Sequence, residues 1–173
     1  YDFPKKGIAF KDILGIMQDT EVFRELILKM STNKVIKNSE AIISIEARGF
    51  IFGSAISLQS SKPMIVARKP GKLPGELTQE NYYLEYGKSS LSIQKEALKR
   101  FSSYAIVDDL LATGGTINCV ANLIQKNGKD VGGLLTVVEL LELNGRSRFN
   151  FPVNRSFRYK KRFNVNFKKK KKK

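Results

Sequence analysis

The sequence predicts an α/β fold, with a mainly parallel, twisted sheet flanked by helices. Short continuous apolar runs rich in β-branched residues are typical of strands that are buried on both faces of such a sheet. These runs alternate along the chain with segments whose apolar residues recur at helical spacing. Three of the runs end in turns rich in charged residues or glycine, and ligands of parallel sheets bind beyond the carboxyl ends of the strands.

The composition fits one soluble domain with a real core. The chain has 173 residues, of which 42% are hydrophobic and 27% charged. Its apolar runs are shorter than the roughly 18 residues of a membrane span, and no signal peptide is apparent, so we expect no membrane contact and a cytoplasmic location. The single cysteine excludes an internal disulfide, and the absence of histidine removes the commonest general base and metal ligand.

The net charge of +15 is unevenly distributed. Thirteen of the 31 Lys and Arg residues lie at or after Arg146, where there is no acidic residue, so the preceding part is nearly neutral. The lysine run 168–173 repels itself and predicts a disordered, solvated tail. Contact of this tail with nucleic acid or another acidic surface is the alternative.

The first half of the chain predicts two helices and two strands. Asp19 is a suitable N-cap for a helix over 19–31, whose apolar residues form one stripe. The run "AIISI" at 41–45 predicts a buried parallel strand, and the apolar segment 49–60 predicts a helix. "MIVAR" at 64–68 predicts a second strand, and the proline–glycine breaks after it indicate a loop.

The second half predicts a hairpin, two further strands and a helix between them. Alternation within 80–94 indicates the hairpin. "YAIV" at 104–107 predicts the third core strand, and "VGGLLTVVEL" at 131–140 predicts the fourth. The helix between these strands has its apolar residues on one face, and Gly128 is well placed just after its end.

The turn after "YAIV" carries the strongest chemical signal. Asp108 and Asp109 follow the strand directly, where an unpaired carboxylate is costly to bury. Glycines in the loop beyond them allow backbone N–H groups to approach an oxyanion, and the start of a helix favours negative charge. No lysine follows the glycines, so this is not a Walker loop. Because paired carboxylates suit vicinal hydroxyls, the pattern predicts a site for a ribose 5-phosphate.

The segment "IVDDLLATGGT" resembles the phosphoribosyl pyrophosphate (PRPP) binding motif of the type I phosphoribosyltransferase family. Five further segments are similar, in order and spacing, to the adenine-using members of that family. These segments are "DFPKKGIAFKDI" (2–13), "EARGFIFG" (46–53), "RKPGKLPGE" (68–76), "YYLEYG" (82–87) and "ELNGR" (142–146). The resemblance covers roughly residues 2–148.

The resemblance also implies how the chain is organised. It implies a phosphoribosyltransferase domain over 1–150, with a small N-terminal hood in 2–13 and a core in 36–145. A flexible hairpin loop would close over the substrates. A last strand and the basic tail are expected in 151–173.

The resemblance assigns residues to the phosphorylated substrate. Asp108 and Asp109 would hold the ribose hydroxyls, and the peptide before Ala47 would be cis. The residues that would bind the 5-phosphate are Ala112, Thr113, Gly114, Gly115 and Thr116. Those that would meet the pyrophosphate, some from a neighbouring subunit, are Glu46, Ala47, Arg48, Arg68, Lys69 and Lys72.

The resemblance likewise assigns residues to the base and the chemistry. Phe10 would lie against the adenine ring and the Ala9 backbone would read its edge, while Arg48 would reach toward the base and Leu140 would pack on it. The residues expected to act in catalysis are Glu85, Tyr86 and Arg68. Glu85 would handle a proton of the purine.

The resemblance therefore implies a homodimeric purine-salvage enzyme that converts adenine and PRPP into AMP and pyrophosphate with Mg²⁺. One alternative is a nucleic-acid-binding regulator that senses PRPP or a purine on the same fold. No helix-turn-helix segment is apparent, which disfavours this alternative. A second alternative is a sibling transferase for another base.

Overall fold

A five-stranded parallel sheet forms the centre of the protein, which the computed structural model describes for residues 13–84 and 87–159. Its strands occur in the order β2-β1-β5-β6-β7, and β3 and β4 form a separate antiparallel hairpin. The strands are β1 (Ala41–Ile45), β2 (Met64–Ala67), β3 (Leu77–Leu84), β4 (Gly87–Gln94), β5 (Ser103–Leu111), β6 (Asp130–Leu140) and β7 (Val153–Tyr159).

Helices cover the sheet. The α-helices are α1 (Thr20–Ser31), α2 (Lys34–Lys37), α3 (Gly49–Ser60), α4 (Lys95–Lys99) and α5 (Gly115–Lys126), and short 3₁₀ turns occur at Leu14–Gln18, Leu141–Leu143 and Gly145–Arg148. Asp19 is the N-cap of α1, as predicted, because its Oδ1 accepts hydrogen bonds of 3.1 Å from the N–H groups of Glu21 and Val22.

The strand order creates a switch point between β1 and β5. The chain leaves β1 through α3 to reach β2 on one side, and later returns as β5 on the other side. Ligands of open parallel sheets bind in the crevice at such a point, outside the carboxyl ends of the two strands. The fold therefore locates the candidate site before any side chain is considered.

The sheet separates two hydrophobic clusters. One contains residues of α1, α2 and α3, such as Ile27, Ile36 and Phe52. The other contains α5 and the hairpin, represented by Val120 and Leu91. Because both faces are covered, β1 and residues 104–107 of β5 are nearly continuous apolar runs, and this feature made them predictable.

The hairpin is attached to the sheet through β2. Backbone hydrogen bonds of 3.0 Å and 2.7 Å join Arg68 and Ser92, the first from Arg68 N–H and the second from Ser92 N–H. Leu84 pairs with Gly87, so only residues 85 and 86 separate β3 from β4. The predicted hairpin is confirmed, although β3 begins at Leu77, before the expected residue 80.

The predicted end of the third core strand is wrong. The sequence indicated a strand that stops at Val107, whereas β5 continues to Leu111 and includes Asp108 and Asp109. Leu110 and Leu111 still pair with residues of β6, so the pairing of β5 with β6 continues beyond both acids. The acids thus lie within a strand and not in a loop.

The sheet also extends beyond residue 150, because β7 pairs with β6 in parallel. The hood segment 2–12, the residues Glu85 and Tyr86, and the segment 160–173 with its lysine run lie outside the described residues. Among the helices of the described ranges, none is long and apolar enough to cross a membrane.

Candidate active site

The switch point brings together two segments that the sequence singled out. The turn after β1 holds Glu46, Ala47 and Arg48, and the peptide between Glu46 and Ala47 is cis, as expected. Arg48 Nε lies 2.7 Å from Asp109 Oδ2 on β5. This ion pair joins the two strands that flank the crevice.

Asp108 lies beside this pair and is held in a tight space. Its Oδ1 accepts a hydrogen bond of 2.8 Å from the Asp109 N–H. A Cβ at Gly49 would come within 2.9 Å of the same oxygen, so only glycine allows α3 to begin this close to β5. Burial, and then the neighbouring charge of Asp109, raise the pKa of Asp108 well above its ordinary value.

The predicted phosphate loop, residues 112–116, connects β5 to α5. Gly114 has φ +81°, a conformation that glycine adopts without steric cost, and it is the N-cap of α5. Because glycine has no side chain, the cap position supplies no acceptor to the first N–H groups of α5. Thr113 is exposed and Thr116 half-buried. This geometry suits an anion bound from solvent.

The segment 144–149 packs against the phosphate loop from behind. A Cβ at Gly114 would come within 2.9 Å of Phe149 Cζ and 3.0 Å of Gly145 O. A Cβ at Gly145 would collide with the Ala112 carbonyl oxygen. Two glycines thus permit the backbone of segment 144–149 to pack directly against the backbone of the loop.

A buried acid, Glu139, contacts two arginines, one of which lies in segment 144–149. The sequence analysis did not identify this acid. Glu139, near the end of β6, is 1% exposed. Its Oε1 lies 2.6 Å from Arg146 Nε, and its Oε2 lies 2.8 Å from Arg146 Nη2 and 2.6 Å from Arg155 Nη1. A glutamate inside the apolar run "LLTVVEL" is the signal that could have revealed it.

The predicted pyrophosphate group is arranged around Glu46. Its carboxylate accepts hydrogen bonds of 3.3 Å from Arg68 Nη2 and 2.8 Å from the Lys69 N–H. Burial raises the pKa of Glu46, but these hydrogen bonds and the two cations outweigh it, so the pKa is lowered. Arg68 also donates to the Lys72 carbonyl (3.2 Å) and lies over the Phe50 ring. The Lys69 and Lys72 side chains are exposed.

The remaining predicted residues are distributed as follows. Leu140 ends β6, half-buried, and packs against the cluster on the α1 face of the sheet. A contact of Leu140 or Arg48 with a base stays a prediction. The hood and hairpin-loop residues that lie outside the described part of the chain are Ala9, Phe10, Glu85 and Tyr86.

Cys119 belongs to the core and not to the site. It is buried in α5, and burial raises the pKa of its thiol to about 11. The thiol therefore stays protonated near neutral pH and acts as a small apolar group.

A loop whose geometry suits an anion follows two buried acids at the switch point of a parallel sheet, and this arrangement suits a phosphorylated ribose. The chain belongs to the family described as phosphoribosyl transferase domain, which it matches over residues 11–165. Within that family it belongs to the adenine phosphoribosyltransferases, as the following relatives indicate.

The adenine phosphoribosyltransferase of Prochlorococcus marinus (strain MIT 9515) is 66% identical over 158 residues, which are 91% of this chain and 92% of the relative. The crystal structure of the Thermoanaerobacter pseudethanolicus enzyme is 39% identical with a TM-score of 0.83, and covers 91% of this chain and 92% of its own. The Saccharomyces cerevisiae enzyme, crystallised with an imino-altritol bisphosphate and adenine, is 35% identical with a TM-score of 0.84 and the same coverages.

Proposed function

We propose that the protein transfers the phosphoribosyl group of PRPP to adenine, forming AMP and pyrophosphate, in purine salvage in the cytoplasm. The observation that carries the proposal is the phosphate loop of residues 112–116, directly beyond Asp108 and Asp109 at the switch point. Family membership supports it, and so does the adenine bound to the similar yeast enzyme.

The loop and the acids would bind the two ends of the phosphoribosyl group. The 5-phosphate would accept hydrogen bonds from N–H groups at the start of α5 and from the hydroxyls of Thr113 and Thr116. Asp109, already oriented by Arg48, would accept a hydrogen bond from a ribose hydroxyl, and Asp108 would do the same beside it. Both contacts would hold the anomeric carbon in position for attack by the base.

The pyrophosphate leaves with negative charge, which cations in the site would stabilise. Arg68 has its guanidinium oriented by Glu46 and by the Lys72 carbonyl, so little reorganisation is needed when charge develops. The Glu46 carboxylate serves here as the group that positions Arg68, since it would repel a pyrophosphate in direct contact. Lys69, Lys72 and the backbone of the turn at Ala47 would add further favourable charge and donors.

Mg²⁺ fits this donor set as an ion carried by the substrate. Within the described ranges no group of three or more acidic or cysteine side chains could form a metal cage. Mg²⁺ prefers substrate phosphate oxygens with one or two carboxylates, and Asp108 and Asp109 are the acids next to the phosphoribosyl site. When bound, the ion neutralises charge on the pyrophosphate.

The base would be bound and deprotonated by residues assigned through the family resemblance. Phe10 and Leu140 would pack on the ring, the Ala9 backbone would read its edge, and Arg48 would lie toward it. Glu85, one of the two residues between β3 and β4, would accept a purine proton, and its neighbour Tyr86 would help to exclude water.

A homodimer is part of the proposal, with α3 as the contact. Its exposed face carries Ile51, 36% exposed, and Leu58, 86% exposed, while the opposite face is buried in the core. A helix that is apolar on both faces gains by burial against a second copy. Leu58→Lys should shift the protein from dimer to monomer in analytical ultracentrifugation, whereas Leu28→Lys on α1 should not. A protein that is monomeric before substitution would exclude the dimer.

The assay that tests the function compares four bases with PRPP and Mg²⁺: adenine, hypoxanthine, guanine and orotate. We expect AMP from adenine and little product from the other three. Turnover of another base but not adenine would identify a sibling transferase. PRPP binding without turnover of any base, together with salt-sensitive binding of RNA or DNA, would favour the regulator.

A further inference from the structure

Glu139 is a buried acid whose partners hold one particular segment of backbone. Its side chain is 2% exposed, and its two oxygens contact Arg146 on one side and Arg155 on the other. Arg155 belongs to β7, which pairs in parallel with β6, so this contact lies within the sheet. Arg146 belongs to the 3₁₀ turn Gly145–Arg148, which lies outside the strands of the sheet.

The same turn is in backbone contact with the phosphate loop. Gly145, adjacent to Arg146, lies directly against the Ala112 carbonyl. Phe149, three residues beyond Arg146, lies against Gly114, the N-cap of α5. The path from Glu139 to the anion-binding N–H groups is therefore one ion pair followed by close packing.

Two guanidinium groups share one carboxylate, so the cluster retains excess positive charge beside an anion-binding loop. A buried ion pair is often no more stabilising than apolar residues of the same volume, so stability alone gives little reason for it. The geometry of the pair suggests positioning as its role. The Arg146 guanidinium donates to both oxygens of the Glu139 carboxylate, and this bidentate contact fixes the position of the turn relative to β6.

We propose that Glu139 is a positioning residue for the 5-phosphate of the substrate, acting through Arg146 and the turn on which the phosphate loop rests. The inference depends on the proposed function, since it concerns how that same site recognises its phosphate. When the carboxylate is lost, the turn moves away from Ala112 and Gly114, and several N–H donors lose their alignment together. Contacts with the ribose and the base are unaffected.

The test measures affinities for AMP and adenosine, which differ only by the phosphate, by calorimetric titration. Glu139→Gln should weaken AMP binding by about tenfold, because small displacements of positioned donors are costly, and leave adenosine binding unchanged. Glu142→Gln, at an exposed position three residues further on, is the matched control and should change neither affinity. Equal losses for AMP and adenosine, or no loss for AMP, would overturn the inference.

A second variant covers the case in which Glu139→Gln does not fold. Arg146→Lys keeps one contact to Glu139 and should show the same selective loss for AMP with a smaller amplitude. An unselective effect there also overturns the inference. If the unsubstituted protein does not prefer AMP to adenosine, the phosphate-loop assignment fails, and this inference fails with it. If the unsubstituted protein prefers AMP to adenosine but the variants lose affinity for both ligands equally, only the positioning role of Glu139 is rejected, and the phosphate-loop assignment stands.

Discussion

Arg48 and Asp109 form an ion pair of 2.7 Å across the crevice between β1 and β5. The acid side chain is 7% exposed and the arginine side chain 33%, so the carboxylate is shielded while the guanidinium still reaches solvent. The pair orients an acceptor at the position where a ribose would bind. It also connects the turn after β1 to the strand that leads into the phosphate loop.

Asp109→Asn tests the ribose assignment. The amide cannot make a charge-assisted hydrogen bond, a loss of about 1.5–3 kcal/mol, and PRPP affinity should therefore fall by about 10- to 150-fold. Folding should be nearly intact, because Arg48 can be solvated. The measurements are the PRPP dissociation constant and the melting temperature.

Asp130→Asn is the matched control for this substitution. Asp130 is exposed at the start of β6, at the amino-terminal end of the parallel strands and therefore opposite the site, so its substitution should leave PRPP affinity unchanged. PRPP affinity that is equal in Asp109→Asn and the parent protein would refute the ribose assignment.

Asp108→Asn should stabilise the protein near neutral pH. Burial, and then the charge of Asp109, raise the pKa of Asp108 above its ordinary value of 3.8. The native carboxyl thus holds its proton to higher pH than the unfolded chain does. As pH rises from 3.8 through the native pKa, the free energy of unfolding falls, and above that pKa the penalty is constant.

Calorimetry of the parent and Asp108→Asn between pH 4 and 8 checks this sign. The variant's advantage in melting temperature should grow as pH rises from 4 toward the native pKa of Asp108, and the variant should bind PRPP more weakly than the parent does. Asp130→Asn should show no such growth. A variant that melts below the parent at neutral pH would contradict the prediction.

Gly114→Ala and Gly128→Ala separate two roles of glycine. Both positions have positive φ, +81° and +69°, so each alanine costs about 1–2 kcal/mol of conformational energy. At Gly128 nothing lies near the added Cβ, whereas at Gly114 it would meet Phe149 and Gly145. Gly114→Ala should lose more stability and raise KM for PRPP, and Gly128→Ala should leave KM unchanged. Identical effects of the two substitutions would disprove the packing of segment 144–149 on the loop.

The core strands were predictable because burial on both faces leaves a continuous apolar run, as in Ala41–Ile45. The end of β5 was not predictable, because two adjacent acidic residues in a sequence indicate a loop unless the residue that pairs with them is known. That partner, Arg48, lies 61 residues before Asp109 in the sequence, so no local sequence pattern includes both residues. Tertiary pairing allows Asp108 and Asp109 to lie within a strand.

In the candidate site, too, the residues with a local sequence signal were predictable and those that depend on distant contacts were not. The loop at Gly114 was predictable because glycine and threonine between a strand and a helix have a direct chemical meaning. The role of Glu46 in holding Arg68, and of Glu139 in holding Arg146, depends on contacts between separate elements. Sequence identifies groups that meet a ligand more readily than the groups that orient them.

Glu85→Gln tests the acid–base role assigned to the hairpin loop. A residue that acts on the base proton in the transition state lowers kcat when it is removed and leaves ground-state binding largely unchanged. Because general acid–base groups contribute about 10²- to 10⁴-fold, kcat should drop by at least about tenfold, with PRPP affinity within a few-fold of the parent. Glu96→Gln, on the exposed surface of α4, is the control and should retain full activity. Single-turnover measurements with saturating adenine and PRPP isolate the chemical step from product release. If the single-turnover rate of Glu85→Gln equals that of the control, Glu85 is a surface charge, and catalysis depends on the phosphate loop, the cations and the geometry of binding.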